Sequence, residues 1–177
     1  LSLSGTGTIS TADVGTGKTV NASGLTIDNS SGVGSNYTLS AATVNVTERV
    51  IGLSGVRAFD GTNNASSADL SISNLVSGEN LTLSGSGTVP NATVEMNKAI
   101  TLGSLSISDG SGGKFSNYTL TGGSHTLDIS QLSVNVTGSR QYDGTKTVNS
   151  SDLTLTNLVS GETVSLTGAG TVADLSL

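Results

Sequence analysis

A segment that occurs twice constrains this chain more than any other feature. Arg57-Ala58-Phe59-Asp60-Gly61-Thr62 returns 83 residues later as Arg140-Gln141-Tyr142-Asp143-Gly144-Thr145. The match runs on, since residues 69–79 read DLSISNLVSGE and residues 152–162 read DLTLTNLVSGE at the same offset. A second block recurs as well: SNYTL at 35–39 comes back at 116–120, and LSLSGTGT at 1–8 comes back as LTLSGSGT at 81–88 and loosely as VSLTGAGT at 164–171. The offset drifts between 80 and 83, so the insertions are small and belong in turns. Self-similarity at a fixed period marks one structural unit used more than once.

Counted from Ile51, the chain holds the C-terminal half of one unit (1–50), a complete unit (51–133) and the N-terminal half of the next (134–177). A frame counted from Leu1 gives two permuted units and a surplus of 14 residues, and the sequence leaves both frames open. A unit of about 80 residues can bury a modest core of its own. The chain begins at Leu1, inside a repeat and without Met, and is expected to be a processed piece of something longer.

Two-residue alternation dominates the apolar pattern. Leu70 and Ile72, Leu81 and Leu83, Leu105 and Ile107, Leu127 and Ile129 alternate with polar residues, as do Val44 and Val46, Val134 and Val136, and Leu153 and Leu155. A period of two puts such residues on one face of a strand. Turn signals separate the runs: Asp60-Gly61, Asp109-Gly110, Asp143-Gly144, and glycine-rich stretches at 5–7, 15–17 and 110–113. Residues 93–100 admit a short helical turn but fit a strand better. The expected fold is all-β: tandem small antiparallel β-sandwich-like repeat modules, since sheets apolar on one face must meet another face. Modules that touch only their neighbours would make an elongated rod.

The few aromatic residues fall at matched places in the repeat, Phe59 with Tyr142 and Tyr37 with Tyr118. In a chain with 3% aromatics they are the largest bodies available to seed each core. Arg57, Phe59, Asp60 and Gly61 recur as Arg140, Tyr142, Asp143 and Gly144. The expected arrangement is an arginine stem packed on the aromatic ring, with the aspartate capping its turn.

Signals of chemistry are weak. Residues 12–19, ADVGTGKT, meet a relaxed phosphate-loop pattern, yet that chemistry needs a following helix, and Val20, Ala22, Leu25 and Ile27 are spaced for strands. The equivalent ATVEMNKA at 92–99 lacks both glycines. His125 is the sole histidine and the chain has no cysteine, so neither a zinc site nor a Ser-His-acid arrangement is expected, and His125 reads as a strand-surface residue. The stretch 109–113 and the group Asp60, Asn63 and Asn64 lack the clustered acidic ligands of a calcium loop. No catalytic, cofactor-binding or metal residue is assigned, and the chain is not expected to be an enzyme. Seven basic residues against thirteen acidic ones, with five aromatics, give no track for nucleic acid. No apolar run exceeds three residues, so membrane insertion is not expected either. Ten of the fourteen asparagines open Asn-Xaa-Ser/Thr triplets, which in a glycosylating host would coat the surface.

RQYDGT at 140–145 with NLVSGETVSLTGAGT at 157–171, and VGTGKTV at 14–20 with GLTI at 24–27 and SNYTLS at 35–40, resemble the YDG repeat of large bacterial surface adhesins of the filamentous haemagglutinin type. The likeness covers essentially the whole chain. The middle repeat departs from it with Phe59 in place of Tyr, a lost Gly-Thr-Gly-Lys turn at 94–98 and an added stretch near Gly122 to His125, departures that bear on turn geometry. The resemblance implies an exported stalk at the cell surface or in a biofilm matrix, with no catalytic residues. Expected partners are neighbouring repeats of the same chain. Two rivals remain: a multivalent module for exopolysaccharide, and a fibre in which half-repeats of identical chains complete one another by strand exchange.

Overall fold

The computed structural model describes residues 1–173. It is all-β, with short strands gathered into small sheets that are mostly antiparallel. In the first part of the chain these are β1 (Ser2–Gly5), β2 (Thr8–Ile9), β3 (Gly15–Asn21), β4 (Leu25–Asp28), β5 (Ala42–Val46) and β6 (Arg49–Val50). The middle supplies β7 (Gly52–Ala58), β8 (Asn64–Ser66), β9 (Leu70–Ser73), β10 (Leu81–Ser84), β11 (Ser86–Thr88), β12 (Glu95–Ala99), β13 (Ser106–Asp109), β14 (Tyr118–Thr119) and β15 (His125–Ser130). Last come β16 (Asn135–Gly138), β17 (Thr147–Asn149), β18 (Leu153–Thr156) and β19 (Ala169–Thr171). Helical structure among the described residues is limited to single 3-10 turns, such as Gly34–Asn36 and Phe115–Asn117, which stand at matched repeat positions.

Equivalent strands pair in equivalent register. Ser2 faces Asp28 in β1–β4 as Thr82 faces Ser108 in β10–β13, and Lys18 faces Val44 in β3–β5 as Lys98 faces Leu127 in β12–β15. Ala65 faces Gly87 in β8–β11 as Val148 faces Gly170 in β17–β19. Register is strict because each alternation has one apolar face, and a slip by one residue would turn it outward. Close strand approach is also repeated. A Cβ added to Gly55 would lie 1.9 Å from the Asp69 carbonyl oxygen, and one on Gly138 would lie 2.0 Å from that of Asp152.

Among the described residues one pairing has no counterpart at either end. In the middle, β15 lies between β12 and β7 in a four-stranded sheet of order β12-β15-β7-β9. At the start of the chain β5 is the outer strand of β2-β3-β5, and at the end β16 pairs only with β18.

By contacts the chain forms two compact units built from interleaved segments. The first comprises Leu1–Ser54, Ser71–Gly85 and Ser104–His125; the second comprises Gly55–Leu70, Ser86–Gly103 and the chain from Thr126 onward. In the first, Ile51, Leu81 and Tyr118 form a buried cluster with Ile72, Leu75, Ile107 and Leu120 packed against it. The second buries Ala65, Leu70, Val89, Ile100, Leu127 and Ile129. The buried apolar residues thus run from Ile51 to Ile129.

Candidate functional site

The phosphate-loop lookalike proves to be a β-bulge. Register shifts between Gly15 and Lys18 in β3, and between Glu95 and Lys98 in β12. Gly17 holds φ +61° there, and Asn97, its counterpart, holds φ +56°, a left-handed conformation that asparagine tolerates better than most residues. The Gly17 N–H donates to Asn45 Oδ1 at 2.8 Å, and the Asn97 N–H donates to Asp128 Oδ1 at 2.6 Å. The bulge therefore survives the loss of both glycines. Its lysines turn back onto their own strand connection. Lys18 Nζ donates to Thr11 Oγ1 at 2.9 Å and to the Asp13 carbonyl, and Lys98 Nζ, in a side chain only 2% exposed, donates to Asn91 Oδ1, Thr93 Oγ1 and Glu95 Oε2. Three acceptors meet the three donors of the buried amine, so none is left without a partner.

The Arg-Asp-Gly-Thr segment is a clamp on its own turn. Asp60 Oδ1 accepts the Thr62 N–H at 2.8 Å and the Thr62 hydroxyl at 2.9 Å, while the Arg57 guanidinium pairs with Asp60 and donates to the Thr62 carbonyl at 2.6 Å. In the second copy the Thr145 N–H and hydroxyl bond Asp143, and Arg140 reaches Asp143 and the Thr145 carbonyl, each at 2.6 Å. Gly61 and Gly144 sit at φ +78° and +77° in these turns. At Asp60 burial raises the carboxyl pKa, but the Thr62 bonds and the Arg57 charge outweigh it and hold it below the usual range. At Asp143 the Thr145 N–H and hydroxyl, then Arg140, hold it down at about 2. The expected aspartate cap is present. The arginine hydrogen-bonds the turn carbonyl and carboxylate, a use of its fork that the sequence pattern did not reveal.

The aromatics divide. Tyr118 is buried at 4% exposure, and Phe59 is half-buried. Tyr37 and Tyr142 are 56% and 78% exposed, which corrects the expectation that all four seed cores. The Tyr118 hydroxyl accepts the Val76 N–H at 3.2 Å and donates to Glu79, so its polar end is satisfied inside the first unit. Burial first, then the Glu79 carboxylate, push its phenol pKa up. The preceding Asn117 accepts the Val14 N–H at 2.9 Å and donates to Asp13 Oδ1 at 2.9 Å, and Lys114 pairs with Asp13 at 3.0 Å. Alongside, β6 and β14 run parallel with Arg49 opposite Tyr118, and Arg49 is fixed by the Asn74 carbonyl and side chain. Residues 116–118 thereby join the 1–50 segment to the middle repeat. A pocket of about 280 Å³ lined by Val14, Val46, Arg49, Val76, Glu79 and Tyr118 flanks this joint.

Residues 47–127 match the family model described as the YDG domain. The YDG domain match begins just before β6 and ends inside β15, so it takes in Arg49, Lys114, Asn117 and Tyr118 of the joint but not their partners Asp13 and Val14. Its own aromatic-Asp-Gly triplet is Phe59-Asp60-Gly61; Tyr142-Asp143-Gly144 lies beyond the matched residues. Comparison with curated proteins and with solved structures found no match.

The remaining candidates resolve into turn chemistry. Asp109 Oδ1 accepts the Phe115 N–H at 2.8 Å, as Asn29 Oδ1 accepts the Gly34 N–H at 2.6 Å at the equivalent place. Asn21 and Asn91 each accept the N–H two residues on, from Ser23 and Thr93. Those bonds give the asparagine-rich composition a conformational reason. His125 is half-buried and not on the surface as expected, its Nε2–H donating to the Leu120 carbonyl at 2.8 Å and its Nδ1 buried without a partner. Among the described residues there is no group of three or more His, Cys, Asp or Glu placed to hold a metal ion. No helix among them is long and apolar enough to cross a membrane.

Proposed function

We propose that this chain is a structural spacer from an exported cell-surface or biofilm-matrix adhesin, contributing extension to adhesion rather than chemistry. The observation that carries this reading is what the recurring side chains do. Arg57, Asp60, Arg140, Asp143, Lys18, Lys98, Asn117 and Tyr118 are each engaged in holding a turn, a bulge or a joint of the chain itself. A repeat whose recurring charged and amide side chains are spent on its own backbone is a brick, and its value lies in number. Only 11% of residues are charged and the surface is rich in Ser, Thr, Gly and Asn, which suits an extracellular location. The resemblance to adhesin repeats points the same way.

Joining residues 1–163 in tandem, so that Thr163 runs into Leu1, continues the repeat in register. Arrays of one, two and four such copies should show a maximum dimension in small-angle scattering that grows linearly with copy number. A dimension that saturates would overturn the spacer reading. Measurable binding of exopolysaccharide by a single copy would favour the carbohydrate-module rival instead.

A further inference from the structure

Among the described residues the buried charged side chains are Arg57, which the clamp employs, and Lys98. Lys98 stands opposite the wholly buried Leu127 in the β12–β15 pair, and Ile100, two residues on and on the same face, is buried as well. The stem is thus held by the core, while the amine comes up beneath the loop that joins β11 to β12. There Nζ lies 2.7 Å from Asn91 Oδ1, which makes the side-chain amide carbon of Asn91 the next atom along. It also lies 2.8 Å from Glu95 Oε2, on a carboxylate that is 60% exposed.

The amide of Asn91 is arranged for attack. Besides Lys98, its Oδ1 accepts the Thr93 N–H at 3.1 Å and the Thr93 hydroxyl. Fixed donors on a carbonyl oxygen stabilise the negative charge that gathers there when a nucleophile adds to the carbon. Glu95 is within proton-transfer reach of the amine. An amine, an acyl carbon whose oxygen is held by donors, and a base beside the amine are the parts that acyl transfer needs. The other bulge lacks them: Lys18 meets the Thr11 hydroxyl and the Asp13 backbone carbonyl, with Thr11 standing where Asn91 stands 80 residues on.

We propose that Lys98 and Asn91 join in an amide bond that the folded chain makes for itself, with Glu95 carrying the proton. The Glu95 carboxylate takes a proton from the Lys98 ammonium, and the freed amine adds to the Asn91 amide carbon while Thr93 holds the oxygen. The C–N bond to Nδ2 then breaks. Glu95 returns its proton to the leaving nitrogen, and the second proton of the attacking amine completes it as ammonia, which leaves to water past the exposed carboxylate. No oxidant or cofactor enters the balance: an amine and a primary amide become a secondary amide and ammonia. Burial favours the step because the amine is held against one acyl carbon. The bond closes a ring over residues 91–98, pins the β12 bulge, and passes tension from Asn91 to Lys98 through their side chains. It goes beyond the spacer reading and does not depend on it.

High-resolution mass spectrometry of the intact 177-residue chain tests it. The expected mass is that of the sequence less one ammonia. Cleavage after Glu95 should then leave the two fragments joined through Asn91 and Lys98. An asparagine that had cyclised onto its own backbone would also lose ammonia, but its fragments would part. Lys98→Arg keeps a charge and its donors yet has no amine to acylate, and Glu95→Gln keeps the amine and the amide and alters an exposed residue. Both variants should hold their full mass, and the circular dichroism of Glu95→Gln should match that of the wild type. Three results would overturn the proposal: a wild-type chain still at full mass after prolonged incubation in the folded state, fragments that separate, or Glu95→Gln losing ammonia as completely as the wild type. The mass reads the bond and not the length of an array, so the spacer reading stands or falls separately.

Discussion

Tyr37 and Tyr118 stand in the same five-residue word, SNYTL, at the end of the same kind of 3-10 turn, and one is exposed while the other is buried. The same division separates the whole middle repeat from the segments on either side. Ile51 and Leu127 are buried; Val134 and Val44, their counterparts, are 42% and 41% exposed. Local conformation is shared, since turns, bulges and strand registers coincide. What differs is whether the complementary half-repeat is packed against the residue. In this architecture a strand is specified by its own sequence, whereas a core position is specified by partners far off in the chain, as Ile51, Leu81 and Tyr118 are for one another.

The comparison breaks first at the apolar positions. Ile51→Ala should cost about 2–5 kcal/mol in denaturant unfolding, through lost burial and a residual cavity. Val134→Ala should stay within about 0.5 kcal/mol, as exposed substitutions do. Equal effects at the two sites would mean that the terminal segment has a core of its own.

The next largest contrast is between the clamps. Arg57 is buried and Arg140 is not, although both make the same bonds. Arg57→Ala removes charged hydrogen bonds from a covered site and should cost about 1.5–3 kcal/mol, against a smaller loss at Arg140, whose side chain is 18% exposed where that of Arg57 is 7%. Double-mutant cycles with Asp60→Ala and Asp143→Ala would show whether burial makes the difference.

At the bulges the contrast should nearly vanish. Gly17→Asn places in β3 the residue that β12 already uses at φ +56°, and should be close to neutral. Asn97→Val puts a β-branched residue in the left-handed region and should cost about 1–2 kcal/mol. Thermal melts of the two variants would check that ordering.

The smallest effect is the acid response of the exposed clamp. The Thr145 N–H and hydroxyl, then Arg140, hold the Asp143 carboxyl down to about 2 in the folded chain, against the ordinary 3.8 that it regains on unfolding. Its contribution is therefore complete above about pH 4 and is lost as pH falls toward 2. The Thr145 amide shift, followed by NMR, should titrate with a midpoint near 2 and stop titrating in Asp143→Asn. A midpoint near 4 would show that the clamp is open in solution.

Much of the candidate site was legible because it is local. The Asp60 and Asp143 caps follow from an aspartate two residues before a threonine N–H, whereas the glycines at 15–17, expected to turn the chain between strands, lie inside β3 as a bulge. A clearer signal was available: glycine and asparagine at 17 and 97 are the two residues that best tolerate positive φ. The role of Asn117 was not legible, since its partners Val14 and Asp13 lie more than 100 residues earlier.

From its sequence alone this protein's repeat, its two-residue alternation, its turn types and its all-β class could be deduced, since each depends on interactions spanning a few residues. Only the tertiary structure decided which copy of each alternation is covered, that β15 meets β7 while β5 and β16 keep open edges, and that one tyrosine of a matched pair sits inside. Burial is a property of pairs of segments, and identical words in the chain carry no mark of whether their partner is present.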